Sequence, residues 1–513
     1  MSSTASAPRT TEAAPTARPP GTREIVGSLS GVLLAVMLSA LDQNIVTTAL
    51  PAIARELHGL EHLSWTVVAY LLTWTTLTPI YGKLSDLFGR GRLMLLALAI
   101  FIVASALCAL SQNLYELIAA RALQGAGGGG LMVLSQAIIG DFVAPRERGR
   151  VQAFTSALWG ASSICGPMLG GFFVDNWSWR FVFWINLPIG TLSFLLCRRA
   201  FARLPVTHIK RPIDYLGSIL LIAATTALLV VSSSVGTSST WLSPPLFITL
   251  ALGLLLTVGF ILWERRATEP LFPARLLRKR TIRLVSSAMF LISVELFTAI
   301  VMLPVFFQLV MHVGAGSSGA LLIPLLISST ASSFSAGQFM RKTGRYKILV
   351  PLSFTLAFLG FVGLGTLRAD TPLVLVSFYM VLLGVGIGTN YPVILTSAQN
   401  VADVGDLGAA TSSVVFFRAL GSSVGAAVFW SILLAALSRH LAAAGMESVR
   451  AAIFNGAALP AADAPMIEHA LLGAFHVAFL SASVVALIGI VLGLLLREVP
   501  LRTTPRRFIE EAG

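Results

Sequence analysis

Fourteen apolar runs separated by short polar segments constrain this chain more than any other feature. They lie near 25–50, 65–82, 93–111, 116–140, 151–174, 181–200, 213–235, 245–263, 284–310, 319–340, 348–367, 372–398, 408–436 and 470–496. A bilayer hydrocarbon core about 30 Å thick takes about 20 apolar residues per helical crossing. Fourteen crossings use most of 513 residues, of which 56% are hydrophobic and only 12% charged, with a mean hydropathy of +0.83. That balance excludes a soluble enzyme and predicts an all-α, polytopic membrane protein.

The formal net charge of +13 would suit nucleic acid if the basic residues formed one surface. Instead, 29 of the 36 fall in alternate inter-run segments: Arg9 to Arg23, Lys83 to Arg92, Arg146 to Arg150, Arg198 to Arg211, Arg265 to Arg283, Arg341 to Lys347 and Arg497 to Arg507. The opposite set holds Arg55, Arg180, Arg368, Arg439 and Arg450, and two basic residues, Arg121 and Arg418, stand inside runs. Short cytoplasmic loops collect Lys and Arg, so both termini are expected in the cytoplasm of a cell, or inner, membrane. The charge is therefore an orientation signal, the lipid bilayer is the implied partner, and no nucleic acid is expected. Cys108, Cys165 and Cys197 have no metal-type spacing, so no disulfide, metal or cofactor is expected.

Residues 1–24, rich in Ala, Pro, Ser and Thr, are expected to be a disordered tail. The run that follows is too long for a signal peptide and is expected to be retained. An internal repeat organises the rest. Asp42 and Pro51 match Glu295 and Pro304; Gly82, Gly89, Arg90 and Arg92 match Gly337, Gly344, Arg345 and Lys347; Gly125, Gly127, Gly129 and Gly166 match Gly384, Gly386, Gly388 and Gly425. The shift grows from 253 to 259, as loop insertions would make it. The expected organisation is a six-helix bundle over 25–204, a two-helix insert over 205–270, a second six-helix bundle over 271–497 and a tail over 498–513. Parallel repeats with a site between them are a transporter architecture that permits alternating access.

Four charges stand well inside the runs and sum to zero: Asp42, Arg121, Glu295 and Arg418. Each costs several kcal/mol unless paired or facing water. Helical rise places Asp42 roughly 13 Å below Pro51 and Arg121 roughly 8 Å below the outer start of its helix, within reach of one another. The expected pair is Asp42 with Arg121, helped by Asn44 or Gln43. A change in its solvation or pairing would load or release a proton. The loop Gly82-Lys83-Leu84-Ser85-Asp86-Leu87-Phe88-Gly89-Arg90-Gly91-Arg92 supplies turn glycines and one acid among cations. Gly82, Asp86, Gly89, Arg90 and Arg92 fit a charge-cluster latch, the plain alternative being an ordinary positive-inside loop.

This loop resembles the signature between the second and third spans of the major facilitator superfamily. Leu41-Asp42-Gln43-Asn44-Ile45-Val46 through Ala49-Leu50-Pro51, Arg121-Ala122-Leu123-Gln124-Gly125, Gly160 through Gly166-Pro167-Met168-Leu169-Gly170-Gly171, and Trp179-Arg180-Phe181 with Asn186-Leu187-Pro188-Ile189-Gly190 narrow the resemblance to its fourteen-span drug:proton antiporter branch. The resemblance implies two six-helix bundles as parallel repeats plus two inserted helices. It also implies proton coupling through Asp42 and Arg121, with protons in place of any cofactor. Gly160, Gly166, Pro167, Gly170 and Gly171 would mark an antiporter bend, the plain alternative being ordinary small-residue packing. The second-half loop puts Arg341 where Asp86 would fall, so the full latch is expected only in the first half.

The resemblance also implies that the first helix of each half lines a central cavity. Three readings are open to Glu295: a contact for a lipophilic cation, a second proton site, or a permanent partner of Arg418. Further cavity candidates are Asn44, Tyr70, Trp74, Trp159, Phe306, Asn390, Tyr391, Phe417 and Arg418, aromatic faces being suited to apolar cations. The expected partner is a hydrophobic or cationic small molecule; oligomeric state is open, and a monomer is compatible. Two soluble-protein patterns carry nothing, because Gly125-x-Gly127-x-x-Gly130 and Gly421-x-Ser423-x-Gly425 both lie within apolar runs with no preceding strand. The function expected is proton-driven export of hydrophobic molecules. The alternatives are export of one endogenous metabolite, peptide or lipid by the same mechanism, or a non-transporting sensor.

Overall fold

The computed structural model describes residues 22–57, 65–143, 145–202, 214–234, 244–268, 270–272, 276, 278–313, 321–368, 370–403, 406–443 and 464–501. Most of the two tails, the side chain of Arg55 and residues 444–463 of the long segment between the last two helices lie outside the described residues. Every apolar run falls on a helix. In chain order these are α1 (Thr22–Leu57), α2 (Trp65–Phe88), α3 (Arg90–Leu110), α4 (Leu114–Phe142), α5 (Pro145–Asn176), α6 (Phe181–Trp184), α7 (Asn186–Phe201), α8 (Tyr215–Ser234), α9 (Pro244–Glu264), α10 (Arg280–Leu309), α11 (Ile323–Thr343), α12 (Leu349–Leu364), α13 (Leu373–Val401), α14 (Leu407–Ala443) and α15 (Ala464–Leu495).

Among the described residues, nine helical stretches are long and apolar enough to cross a membrane, and shorter apolar stretches lie on α8, α12 and α14. The two remaining long helices, α2 and α11, carry many hydroxyls. These turn back onto their own helix: Thr78 donates to the Trp74 carbonyl at 2.7 Å and Thr330 to the Leu326 carbonyl at 2.9 Å. Bonded this way, a hydroxyl no longer demands water.

Packing follows the repeat. In the first half α2 and α3 flank α4, and α1 packs on α5 and α7; in the second, α11 and α12 flank α13, and α10 packs on α14 and α15. Glycines set the approach distances in both halves. A Cβ on Gly125 would fall 2.9 Å from the carbonyl carbon of Tyr70, and one on its repeat mate Gly384 would fall 3.2 Å from that of Leu325. A Cβ on Gly127 would meet the Phe101 nitrogen at 2.7 Å, and one on Gly386 the Ala357 nitrogen at 2.8 Å. Glycine disfavours helix in water, but in lipid the backbone has no other way to satisfy its hydrogen bonds, so the run Gly127–Gly130 stays helical and close-packed.

The insert helices α8 and α9 pack on each other, and α8 contacts α2 of one half and α14 of the other. Leu221, Phe260, Leu271, Phe272 and Phe416 form the apolar cluster at that junction. Span six is split at Ile185, which leaves Asn186 at the start of α7.

Candidate functional site

Asp42 and Arg121 meet with both side chains essentially sealed from solvent, 0% and 2% exposed. Arg121 Nη1 donates to Asp42 Oδ2 at 2.7 Å. Gln124 Nε2 and Asn186 Nδ2 each donate to Asp42 Oδ1 at 2.8 Å, and Gln124 Nε2 also reaches Ser105 Oγ at 2.7 Å. The guanidinium donates further to Gln124 Oε1 at 2.7 Å and to the Thr66 carbonyl at 3.3 Å, and lies 4.1 Å over the Tyr70 ring. Four helices thus hold one carboxylate and one guanidinium, which is what a buried charge pair needs to persist.

The expected helpers were wrong. Asn44 Nδ2 donates to the Ala40 carbonyl of its own helix at 2.7 Å, and Gln43 faces the cavity. One turn of α4 carries Gln124 from Arg121 to the same carboxylate, while the break at Ile185 carries Asn186 there. Both residues stood in the motif stretches, but only the helix crossings bring them to Asp42.

A cavity of about 340 Å³ lies between the halves. Its wall takes Gln43, Asn44, Tyr70 and Arg121 from the first three helices involved, Trp159, Gly160 and Ser163 from α5, and Ser293, Leu296 and Phe297 from α10. Tyr391 of α13 and Arg418 of α14 complete it. Arg418 places its guanidinium carbon 5.0 Å from the Trp159 ring and 5.1 Å from the Tyr391 ring. Of the expected cavity residues, the structure brings Asn44, Tyr70, Trp159, Tyr391 and Arg418 to the wall.

The others do not line it. Trp74 is buried against the glycine face of α4, where it blocks a Cβ on Gly128 at 3.1 Å. Phe306 sits inside the second half, its ring 5.3 Å from Phe475. Asn390 is fully buried one position before Tyr391, and Phe417 packs on the cluster beneath the insert. Glu295 is 0% exposed and points behind the wall; among the described residues neither carboxyl oxygen has a hydrogen-bond partner. Of the three readings of Glu295, the permanent pair with Arg418 is therefore not made among the described residues. Sequence repetition carried Asp42 onto Glu295 correctly, but the positions corresponding to Arg121 and Gln124 are Met380 and Leu383, so the acid is repeated without its cage.

At the basic end, Asp86 bridges the halves. Its two carboxyl oxygens accept from the backbone nitrogens of Gly408 and Ala409, each at 3.1 Å, at the start of α14. Arg90 donates to Asp86 at 2.9 Å, to Asp141 at 2.9 Å and to the Ala137 carbonyl at 2.7 Å. A carboxylate at a helix N-terminus meets unpaired N–H groups and the positive end of the dipole. Burial pushes the Asp86 carboxyl up to about 6 against the pull of Arg90, Asp141 adding to the rise. Gly82 lets α2 close on α14, since a Cβ there would stand 2.9 Å from the Gly408 carbonyl. Gly89, with φ 89°, starts α3 in a conformation suited to glycine. Arg92 is exposed in the first turn of α3. Asp141 and the α14 N-terminus were absent from the expected cluster, because a loop motif shows only its own half.

Further inter-half contacts sit nearby: Gln399 Nε2 donates to the Gln136 carbonyl at 3.0 Å, and the Ser156 and Ser333 hydroxyls pair at 2.8 Å. On α5, Gly166 and Gly170 face α1, where added Cβ atoms would lie 2.8 Å from Asn44 Cβ and 2.6 Å from the Ile45 carbonyl. Gly160 faces Thr330 of the other half at 2.9 Å, and Gly171 is open. The side chain of Pro167 lies outside the described residues.

Two repeated helical bundles around a buried charge pair and a central cavity define a multi-pass membrane transporter. The chain belongs to the major facilitator superfamily, whose family model matches residues 32–426. It is 36% identical over 484 residues to an uncharacterized MFS-type transporter of Mycobacterium tuberculosis, covering 92% of this chain and 69% of that one. It is 36% identical over 407 residues to the multidrug transporter protein MdtP of Bacillus subtilis, covering 79% of this chain and 74% of that one. The crystal structure of the human organic anion transporter MFSD10 superposes with a TM-score of 0.63 at 16% identity, over 93% of this chain and all of that one. That of the proton:xylose symporter XylE gives 0.62 at 12% identity, over 95% and 99%.

Proposed function

We propose that this protein is a proton-coupled antiporter that exports hydrophobic small molecules across a cell membrane by alternating access, with fourteen crossings and both termini in the cytoplasm. The single observation that carries the reading is the sealed Asp42–Arg121 pair beside a cavity between two repeated halves. In this state Asp42 is charged and held by Arg121, Gln124 and Asn186. Rocking of the halves alters that cage, and Asp42 takes up a proton when its partners move away, since losing an opposite charge favours the neutral acid. A membrane potential contributes about 2.3 kcal/mol per proton per 100 mV, enough to drive export without ATP. Relatives named as multidrug transporters support a broad substrate range.

The basic end, assigned here to the cytoplasm, is tied by Asp86, Gly408 and Ala409, so the latch must release for substrate to enter from the cell interior. Glu295, the repeat mate of Asp42, is a second proton site: it is buried, and among the described residues its carboxyl makes no hydrogen bond that would tie it to a fixed structural role. The test is uphill accumulation of a hydrophobic dye in inverted membrane vesicles. Wild-type protein accumulates dye and loses it on adding an uncoupler; Asp42→Asn does not accumulate it. Uncoupler-sensitive accumulation by Asp42→Asn at the wild-type rate would remove the proposal.

A further inference from the structure

The charge on the cavity wall points away from the cation preference suggested by the acidic residues of the sequence. Among the described residues, two guanidinium groups line the cavity, Arg121 and Arg418, and no carboxylate does. Arg121 is neutralised by Asp42 at 2.7 Å, so its charge is not free for a ligand. Glu295 lies behind the wall, and neither of its oxygens bonds to Arg418 or to any other described residue. Arg418 is half-buried at the wall, and among the described residues its Nη1 has no hydrogen-bond partner. The unmatched charge facing the cavity is therefore positive.

Its surroundings specify more. The guanidinium lies between the ring of Trp159 on α5, at 5.0 Å, and that of Tyr391 on α13, at 5.1 Å, one from each half. Aromatic faces offset part of the cost of a cation inside a membrane protein, and the Tyr391 hydroxyl interacts with the guanidinium, but both residues are neutral and leave its charge unmatched. A planar fork of N–H donors matches an oxyanion of two or more oxygens, and the apolar remainder of the wall, including Val46, Leu71, Ile292 and Phe297, suits an aromatic body.

We infer that the cavity prefers amphiphilic aromatic acids, molecules with a carboxylate, sulfonate or similar oxyanion on a flat apolar body, with the oxyanion on Arg418 and the body along Trp159 and Tyr391. This rests on the cavity being the substrate site proposed above and names its substrate class. A molecule bound this way touches both halves, which a substrate must do to bias their tilt. Because the acid sits on Arg418 and the proton on Asp42, substrate and proton occupy different groups, and their exchange is coupled through the rocking motion.

The test is equilibrium binding to the purified full-length protein of two probes with one aromatic body and opposite charge, 2-naphthalenesulfonate and 2-naphthyltrimethylammonium. The sulfonate is expected to bind at least about tenfold more tightly, a difference of about 1.4 kcal/mol. Arg418→Gln is expected to weaken the sulfonate by about tenfold or more without weakening the cation, and Arg418→Lys, which keeps the charge, to retain the order of preference. Tighter binding of the cation, equal binding of the two, no binding of either, or an unchanged sulfonate affinity in Arg418→Gln would each overturn the inference. If Arg418→Gln does not fold, the wild-type ratio decides alone. Proton coupling is judged separately by Asp42→Asn, so a failed charge preference leaves that reading standing.

Discussion

Arg121 Nη1 lies 2.7 Å from Asp42 Oδ2 across two helices whose sequence positions are 79 residues apart, and both side chains are buried. A pair this deep is poor as a source of stability, because desolvating two ions takes back most of what their attraction gives. Removing one partner is different: it strands the other charge. Arg121→Leu is expected to destabilise the fold by about 3 kcal/mol or more at neutral pH, read as a lower unfolding temperature, and Asp42→Asn combined with it to recover part of that loss.

The surface gives the contrasting case. Glu56 pairs with Arg180 and accepts from Trp179 Nε1 at 2.7 Å, but it is 49% exposed. The Arg180 guanidinium holds this carboxyl below its ordinary value, so its contribution is present above about pH 4.5 and is lost as the pH falls below that range. Glu56→Gln is expected to change stability by less than about 1 kcal/mol, checked by thermal unfolding at pH 7.

The basic-end latch titrates in the opposite sense. Burial raises Asp86 to about 6 from a usual value near 3.8, so its contribution to folding is greatest below the unfolded value and declines as pH rises toward 6. At neutral pH the latch is charged, held by Arg90 and the α14 nitrogens against the cost of burial. Protonation between pH 7 and pH 5 removes its ion pair with Arg90. Because the buried, latched arrangement is the one that favours the protonated acid, spin labels on the basic ends of α2 and α14 are expected to show a shorter or narrower distance as pH falls through about 6. Asp86→Asn is expected to abolish that dependence.

The glycine faces leave no room for side chains. A Cβ on Gly129 would meet the Trp74 carbonyl carbon at 3.1 Å, and one on Gly388 the Ser329 carbonyl carbon at 2.6 Å. Backbone cannot step aside as a flexible side chain can. Leucine at either position is expected to cost about 3 kcal/mol or more, seen as loss of folded protein in size-exclusion profiles.

Much of the architecture was legible because lipid enforces it. Apolar runs gave every helix, and repeated glycines gave matching crossings such as Gly125 on Tyr70 and Gly384 on Leu325. The Asp42–Arg121 pair followed from charge and depth alone. What was not legible depended on rotation about helix axes. Phe306 and Tyr391 look alike as apolar-run aromatics, yet one packs inside the second half and the other faces the cavity. Gln124 and Asn186 became partners of Asp42 only through helix crossings. Glu295 kept its place in the repeat but lost its partners, because substitutions at Met380 and Leu383 removed them.

The proton site is tested most directly by counting protons exchanged when substrate binds to the purified full-length protein in weakly buffered detergent solution. If Asp42 is that site, wild-type protein exchanges up to about one proton per bound substrate through it, and Asp42→Asn binds substrate with that exchange lost. An Asp42→Asn protein that binds substrate and still exchanges the wild-type number of protons would contradict the account.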